Sequence, residues 1–184
     1  MRLFVALDIP EETRRALRAA MEGFSAVCRG ARWVRPEGIH VTLKFIGQVE
    51  DAKVAGIQKA LSGVRGERAI DTAFRQFGFF PSEKHPRVFY VGIEASKELG
   101  ALAGEIEARL APLGIPKEAR AFQPHLTLAR FKTNEGLPEL RTKIASLPSQ
   151  EFGGATTAEL HLYESVLQSG GATYTKVSSY RFVK

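Results

Sequence analysis

Residues 40–47 read HVTLKFIG and residues 125–132 read HLTLARFK, so the tetrapeptide His-x-Thr-Leu occurs twice in this chain. The copies lie 85 residues apart in a sequence of 184, one in each half. That length supports one sizeable domain and is too short for two ordinary ones. A chain of this size that writes one short pattern once per half is expected to form a single domain, residues 1–184, with two similar lobes. Each lobe then presents one copy, 40–43 in the first and 125–128 in the second.

The residue types say what the copies can do. On a strand, side chains alternate faces, so residues i and i+2 point the same way. His40 and Thr42 are expected to share a face, and so are His125 and Thr127. Val41, Leu43, Leu126 and Leu128 then fill the opposite face and anchor each strand. An imidazole gives or takes a proton near neutral pH, and a Thr hydroxyl one pleat away donates to an anionic oxygen. The chain has four His. At ordinary composition about 0.2 His-x-Thr matches are expected among them by chance. The competing explanation is two ordinary strands, since Thr is a good strand residue and a lone His is often half-buried and satisfied. That explanation serves either copy alone far better than it serves the pair.

Around the copies the periodicity switches repeatedly between strand and helix. RLFVALDI reads as a strand. PEETRRALRAAMEGF reads as a helix with Ala16, Leu17, Ala20, Met21 and Phe24 at helical spacing. ARWVRPEGIHVTLKFIG is extended, with a break near Pro36-Glu37-Gly38. DAKVAGIQKALSGV is a second helix, with Val54, Ile57 and Leu61 on one stripe. AIDTAFRQFGFF and RVFYVGIE are strands around a PSEKHP turn. SKELGALAGEIEARLAPLG is a third helix, opened by Ser96 and closed at Pro112 and Gly114. PELRTKIASL is a short helix after the second copy, as residues 51–64 are after the first. TAELHLYESVLQ and TYTKVSSYRFV form a closing hairpin across SGGA. The class is α+β, with mixed or antiparallel sheets and helices packed outside; α/β without the strict alternation of a parallel sheet is the alternative.

Several functions find no support. The single Cys28 excludes an intramolecular disulfide framework and fits a reducing cytoplasm, the expected location. The apolar run at the N-terminus, Leu3 to Leu7, is too short for a signal sequence or a membrane span. Neither copy has His-x-His or His-Glu-x-x-His spacing and there is no Cys pair, so no metal or other cofactor is expected. His85 lies in a turn beside Pro86 and His161 on a late strand; both are expected to be structural or surface residues. No Gly-x-Ser-x-Gly elbow, Walker loop or dinucleotide fingerprint occurs, and Gly-rich SGGA at 169–172 suits a hairpin turn. A net charge of +6 favours anionic partners, RNA among them, although a generic solubilising surface has the same charge.

HVTLKFIG together with HLTLAR resembles the paired His-x-Thr-x motifs of the 2H phosphoesterase superfamily. RLFVALDIP, WVRPEGIHVTLKFIG and YESVLQSGGATYT further resemble its RNA branch, the RNA 2′,3′-cyclic phosphodiesterases, also called 2′-5′ RNA ligases. The likeness spans essentially the whole chain. It implies two pseudo-symmetric lobes of mostly antiparallel sheet with outer helices and a central cleft. It implies metal-free hydrolysis of RNA or nucleotide 2′,3′-cyclic phosphate ends to 2′-phosphates, with His40 as proton donor, His125 as proton acceptor, and Thr42 and Thr127 on the phosphate oxygens. Ligation at the same site and a non-catalytic nucleotide- or RNA-binding module are the alternatives; two retained His argue against the latter, since a mere clamp could use Arg or Lys. The family often carries Arg five positions after the second His, here Arg130. Strict alternation puts Arg130 on the face opposite His125 and Lys44 on the face of His40. Arg130, Lys44 and Tyr174 are candidate substrate contacts. No membrane and no obligate protein partner is implied.

Overall fold

The computed structural model describes residues 1–169 and 171–183. Among these residues nine strands form two antiparallel sheets, and four helices lie outside them. The first sheet has the order β3 (Val41–Gln48), β1 (Arg2–Leu7), β8 (Glu159–Gln168), β9 (Gly171–Arg181). The second has the order β2 (Ala31–Trp33), β6 (His125–Phe131), β5 (Val88–Ala95), β4 (Ile70–Phe80), β7 (Glu151–Thr157).

β1 is central because its residues from Leu3 onward are all buried. A strand apolar on both faces suits a position with a neighbour on each side and a layer above and below. α1 (Glu11–Val27) starts after Pro10 with two Glu in its first turn, where the helix dipole favours them. Its buried stripe is Thr13, Leu17, Met21 and Phe24. Ala16 faces solvent and Thr13 takes the core position in its place, because the stripe follows the i, i+4, i+8 row more closely than the apolar letters do.

α1 packs on β2, β7 and α4 (Leu137–Ala145), covering the second sheet. α2 (Asp51–Ser62) and α3 (Lys97–Leu110) pack on each other and on β9 and β3, covering the first. Each sheet thus has two helices on its outer side, while β3 and β6 approach each other across the inner faces.

Two features depart from the sequence reading. The extended segment 31–47 is split between the sheets: β2 pairs with β6, a 3-10 turn at Pro36–Gly38 reverses the chain, and β3 pairs with β1. The sequence does not mark β7 as a strand. Gly153 and Gly154 lower its strand propensity, and it forms as an edge strand on β4.

Candidate functional site

His40 lies one residue before β3 and His125 is the first residue of β6. The two imidazoles are anchored alike. Nδ1 of His40 is 2.6 Å from the carbonyl oxygen of Gly38, and Nδ1 of His125 is 2.7 Å from that of Gln123. Each partner is the carbonyl two residues earlier. A carbonyl only accepts, so each Nδ1 carries a proton and donates it, and each neutral ring keeps its lone pair on Nε2.

The strands then break register at the same place. β1 pairs Ala6 with Thr42 and Val5 with Lys44, leaving Leu43 as the extra residue. β5 pairs Tyr90 with Thr127 and Phe89 with Ala129, leaving Leu128 as the extra residue. A bulge at the Leu of each copy shifts the alternation by one. Val41, Leu43, Leu126 and Leu128 are buried in the core as alternation predicts. Beyond the bulge the faces exchange. Arg130 joins Thr127 along a cleft whose walls also include His40, Thr42 and Tyr174. Phe45, the counterpart of Arg130 in the first copy, lines the same cleft and is 52% exposed.

The bulge also corrects the reading of Lys44. It does not share the face of His40 and takes no part in the cleft. It is 2% exposed, and its Nζ donates to the Pro116 carbonyl at 2.6 Å and pairs with Glu107 Oε1 at 2.8 Å. Glu118 lies further off, at 3.7 Å. Lys44 ties β3 to α3 and the loop behind it.

The rings around the two His differ. Phe4 stacks on His40 with centroids 4.6 Å apart, and Tyr174 meets it edge-on at 5.3 Å. Phe80 and Tyr90 meet His125 edge-on at 5.1 and 5.5 Å. Both Tyr rings lie where a side chain would otherwise stand. A Cβ on Gly38 would fall 2.8 Å from the Tyr174 ring, and one on Gly78 would fall 2.4 Å from the Tyr90 ring. The two glycines leave room for the rings to approach the backbone.

Burial lowers the pKa of His40 to about 4; the bond to Gly38 and the Asp8 carboxylate oppose this, while Arg14 and His125 add to it. Burial also lowers the pKa of His125, opposed by the Gln123 carbonyl and assisted by Arg130. Both rings are therefore neutral at pH 7 in the free protein. His125 is not among the cleft-lining residues; it lies one pleat from Thr127, near enough for its charge to reach His40.

The cleft wall also holds Arg2, Arg32 and Arg35, and among the described residues it holds no carboxylate. Ion pairs among the described residues engage Arg14, Arg18, Arg68, Arg75 and Arg109, and none of the four cleft Arg. Sequence reasoning missed Arg2, Arg32, Arg35 and Phe45, because nothing in their spacing marks them as neighbours of the motifs. The other two His lie elsewhere. His85 is exposed in the β4–β5 turn. His161 is 5% exposed, with Nδ1 2.8 Å from Ser179 Oγ and Nε2 3.4 Å from Asp8.

The profile of the family described as LigT like Phosphoesterase matches this chain twice, over residues 7–90 and 91–174. Each match contains one His-x-Thr-Leu copy. An RNA 2′,3′-cyclic phosphodiesterase of Archaeoglobus fulgidus is 33% identical over 174 residues, covering 95% of this chain and 96% of that protein. One of Methanocaldococcus jannaschii is 30% identical over 180 residues, covering 98% and 100%. Among solved structures, a protein of Thermus thermophilus superposes with a TM-score of 0.80 at 28% identity, covering 99% of this chain and 98% of that one. E. coli LigT complexed with 3′-AMP superposes with a TM-score of 0.80 at 24% identity, covering 98% and 97%, a likeness of fold.

Proposed function

We propose a function from one premise: this chain belongs to the family of LigT-like phosphoesterases. It hydrolyses RNA 2′,3′-cyclic phosphate ends to 2′-phosphates, using two imidazoles as acid and base and no metal. The relatives named for that activity on RNA support the substrate class. The observation that carries the mechanism is the matched anchoring of His40 and His125. Each Nδ1 is committed to a carbonyl, so each Nε2 is left for proton transfer, and the two rings belong to different sheets.

Opening a cyclic phosphate is an in-line displacement: water enters opposite the ribose oxygen that leaves. Acid and base must therefore stand on opposite sides of phosphorus, and the placement of the two motifs on different sheets supports that reading. His125 Nε2 takes a proton from water as its oxygen bonds to phosphorus. The bond from phosphorus to O3′ breaks, and His40 Nε2–H delivers a proton to O3′. The hydroxyls of Thr42 and Thr127 and the Arg130 guanidinium donate to the oxygens that do not leave, where charge builds in the transition state. Tyr174 and Phe4 hold the His40 ring in place. His40 is neutral in the free protein at pH 7, so its proton arrives with the substrate. The phosphate anion beside the ring raises its pKa, and its burial makes it a strong donor once charged.

The test is incubation of the pure protein with a nucleoside 2′,3′-cyclic phosphate in EDTA, with products separated by chromatography. A 2′-phosphate is expected. A 3′-phosphate would overturn the direction of opening. Loss of turnover in EDTA, restored by Zn²⁺ or Mn²⁺, would overturn the metal-free mechanism.

A further inference from the structure

Arg32 and Arg35 occupy a part of the cleft that the reaction above does not use. β2 pairs with β6 so that Arg32 stands directly opposite Arg130. Like charges directly opposite on neighbouring strands destabilise a sheet. Nothing nearby offsets this: among the described residues neither Arg has an ion-pair partner, and the cleft wall carries no carboxylate. Arg35 comes to the same place from the start of the 3-10 turn. Measured from where a Cβ on Gly171 would stand, Arg35 Nε is 3.9 Å away and Arg32 Nη2 is 4.0 Å away. Two guanidiniums from one side of the cleft thus converge over the bare backbone of β9. Planar guanidinium groups with free N–H donors match phosphate geometry.

We propose that Arg32 and Arg35, converging over Gly171 beside Arg130, form a second phosphate site, which takes the phosphodiester one nucleotide upstream of the cyclic end. The site makes this protein a reader of chain ends rather than of free nucleotides. Arg130 serves the reacting phosphate, and its cross-strand neighbour Arg32 serves the next one. The repulsion between them is relieved only when two anionic groups lie between the sheets. Phosphate contacts of this kind position a nucleic acid without reading its bases, so the preference is for length and not for sequence. The inference rests on the proposed function for the identity of the first phosphate.

Binding and turnover are measured separately, so that each idea fails alone. Calorimetry compares three products: a nucleoside 2′-phosphate, the same with a 5′-phosphate, and a dinucleotide ending in a 2′-phosphate. A charge-assisted contact to phosphate should make the dinucleotide bind roughly tenfold or more tightly than the nucleoside 2′-phosphate. Arg32→Gln and Arg35→Gln should each remove most of that advantage, while affinity for the nucleoside 2′-phosphate changes less than about twofold, within the spread of surface substitutions. Arg32→Gln should melt no lower than the parent, since it also removes the like-charge pair. Equal affinity for mono- and dinucleotide would overturn the second site. An advantage that survives both substitutions would place the site elsewhere. The 5′-phosphorylated nucleoside 2′-phosphate carries a phosphate on the same 5′ oxygen and should recover most of the advantage. If it bound no better than the nucleoside 2′-phosphate, the gain would come from the second nucleoside and the phosphate assignment would be overturned. Absence of turnover on any cyclic end, with the dinucleotide advantage intact, would sink the proposed reaction and leave the second site standing.

Discussion

The two copies of His-x-Thr-Leu share their backbone and differ in their surroundings. Both place Nδ1 on the carbonyl two residues back, and both bulge at the Leu. The next two residues are Lys44 and Phe45 in one copy and Ala129 and Arg130 in the other. Lys44 is locked behind the sheet by Glu107, whereas Ala129 is simply buried. Phe45 and Arg130 take matching places at the cleft, one a ring and the other a cation. His40 is stacked on Phe4 with Asp8 and Arg14 in its field, whereas His125 has Arg130 nearby and rings only at its edges. A matched backbone thus anchors the two imidazoles alike, and their surroundings differ; on the proposed function, those unlike neighbours divide the labour between them.

That comparison breaks most visibly at the His themselves. His40→Ala and His125→Ala should each reduce kcat about 10²–10⁴-fold, the usual worth of a positioned acid or base. Because the pair acts as a unit, the double variant should be little worse than either single one. Steady-state rates on a cyclic nucleotide, with folding checked by circular dichroism, decide this. A single variant near parental turnover would end the two-imidazole account.

The asymmetry behind the bulge gives the next largest effect. Lys44→Ala leaves Glu107 without its cation and should cost about 3–5 kcal/mol in denaturant unfolding. Lys44→Met, which refills the space but also strands the carboxylate, should recover only part of this. An Ala129→Gly change at the matching site should cost about 1 kcal/mol. Equal losses at the two positions would mean that Lys44 is not the lock it resembles.

Arg130→Ala should lower kcat/KM by roughly 10- to 100-fold, the worth of one charge-assisted contact. Phe45→Ala, at the matching place, should lower it less if the first copy contributes packing rather than charge. A larger loss at Phe45 would reverse that assignment.

The smallest effect is in pH dependence. Both His pKa values are lowered in the free protein, that of His40 to about 4. kcat/KM reports the free protein. It falls at low pH as His125 protonates and at high pH as His40 loses its proton, so the bell should lie on the acid side of 6.5, the ordinary His value. The limbs belong to the pair rather than to either ring. In kcat the bound phosphate raises the His40 pKa, so the alkaline limb should move to higher pH. A kcat/KM bell centred above 6.5 would contradict the burial of His40.

Much of this was legible because the copies are local patterns. Alternation carried the reading from His40 to Leu43 and from His125 to Leu128, and the buried Val and Leu positions follow it. It failed just beyond the Leu, at Lys44 and Arg130, because a bulge leaves the letters unchanged while shifting every face beyond it. The sheet assignment of β2 was hidden for a related reason. The letters mark the break between ARWV and HVTL at Pro36–Gly38, but only long-range pairing shows that the two pieces join different sheets. The cluster of Arg32, Arg35 and Gly171 joins residues about 140 positions apart through strand order, and no spacing rule reaches that far.

The division of labour has one direct measurement. Substrates with the same phosphate but a leaving group at the 3′ position of graded acidity are hydrolysed by the parent and by both His variants. A better leaving group needs less help from an acid, so it should restore turnover to His40→Ala much more than to His125→Ala. Equal rescue of both variants, or rescue of His125→Ala alone, would contradict the account, because the roles would then be shared or reversed despite the unlike surroundings of the two rings.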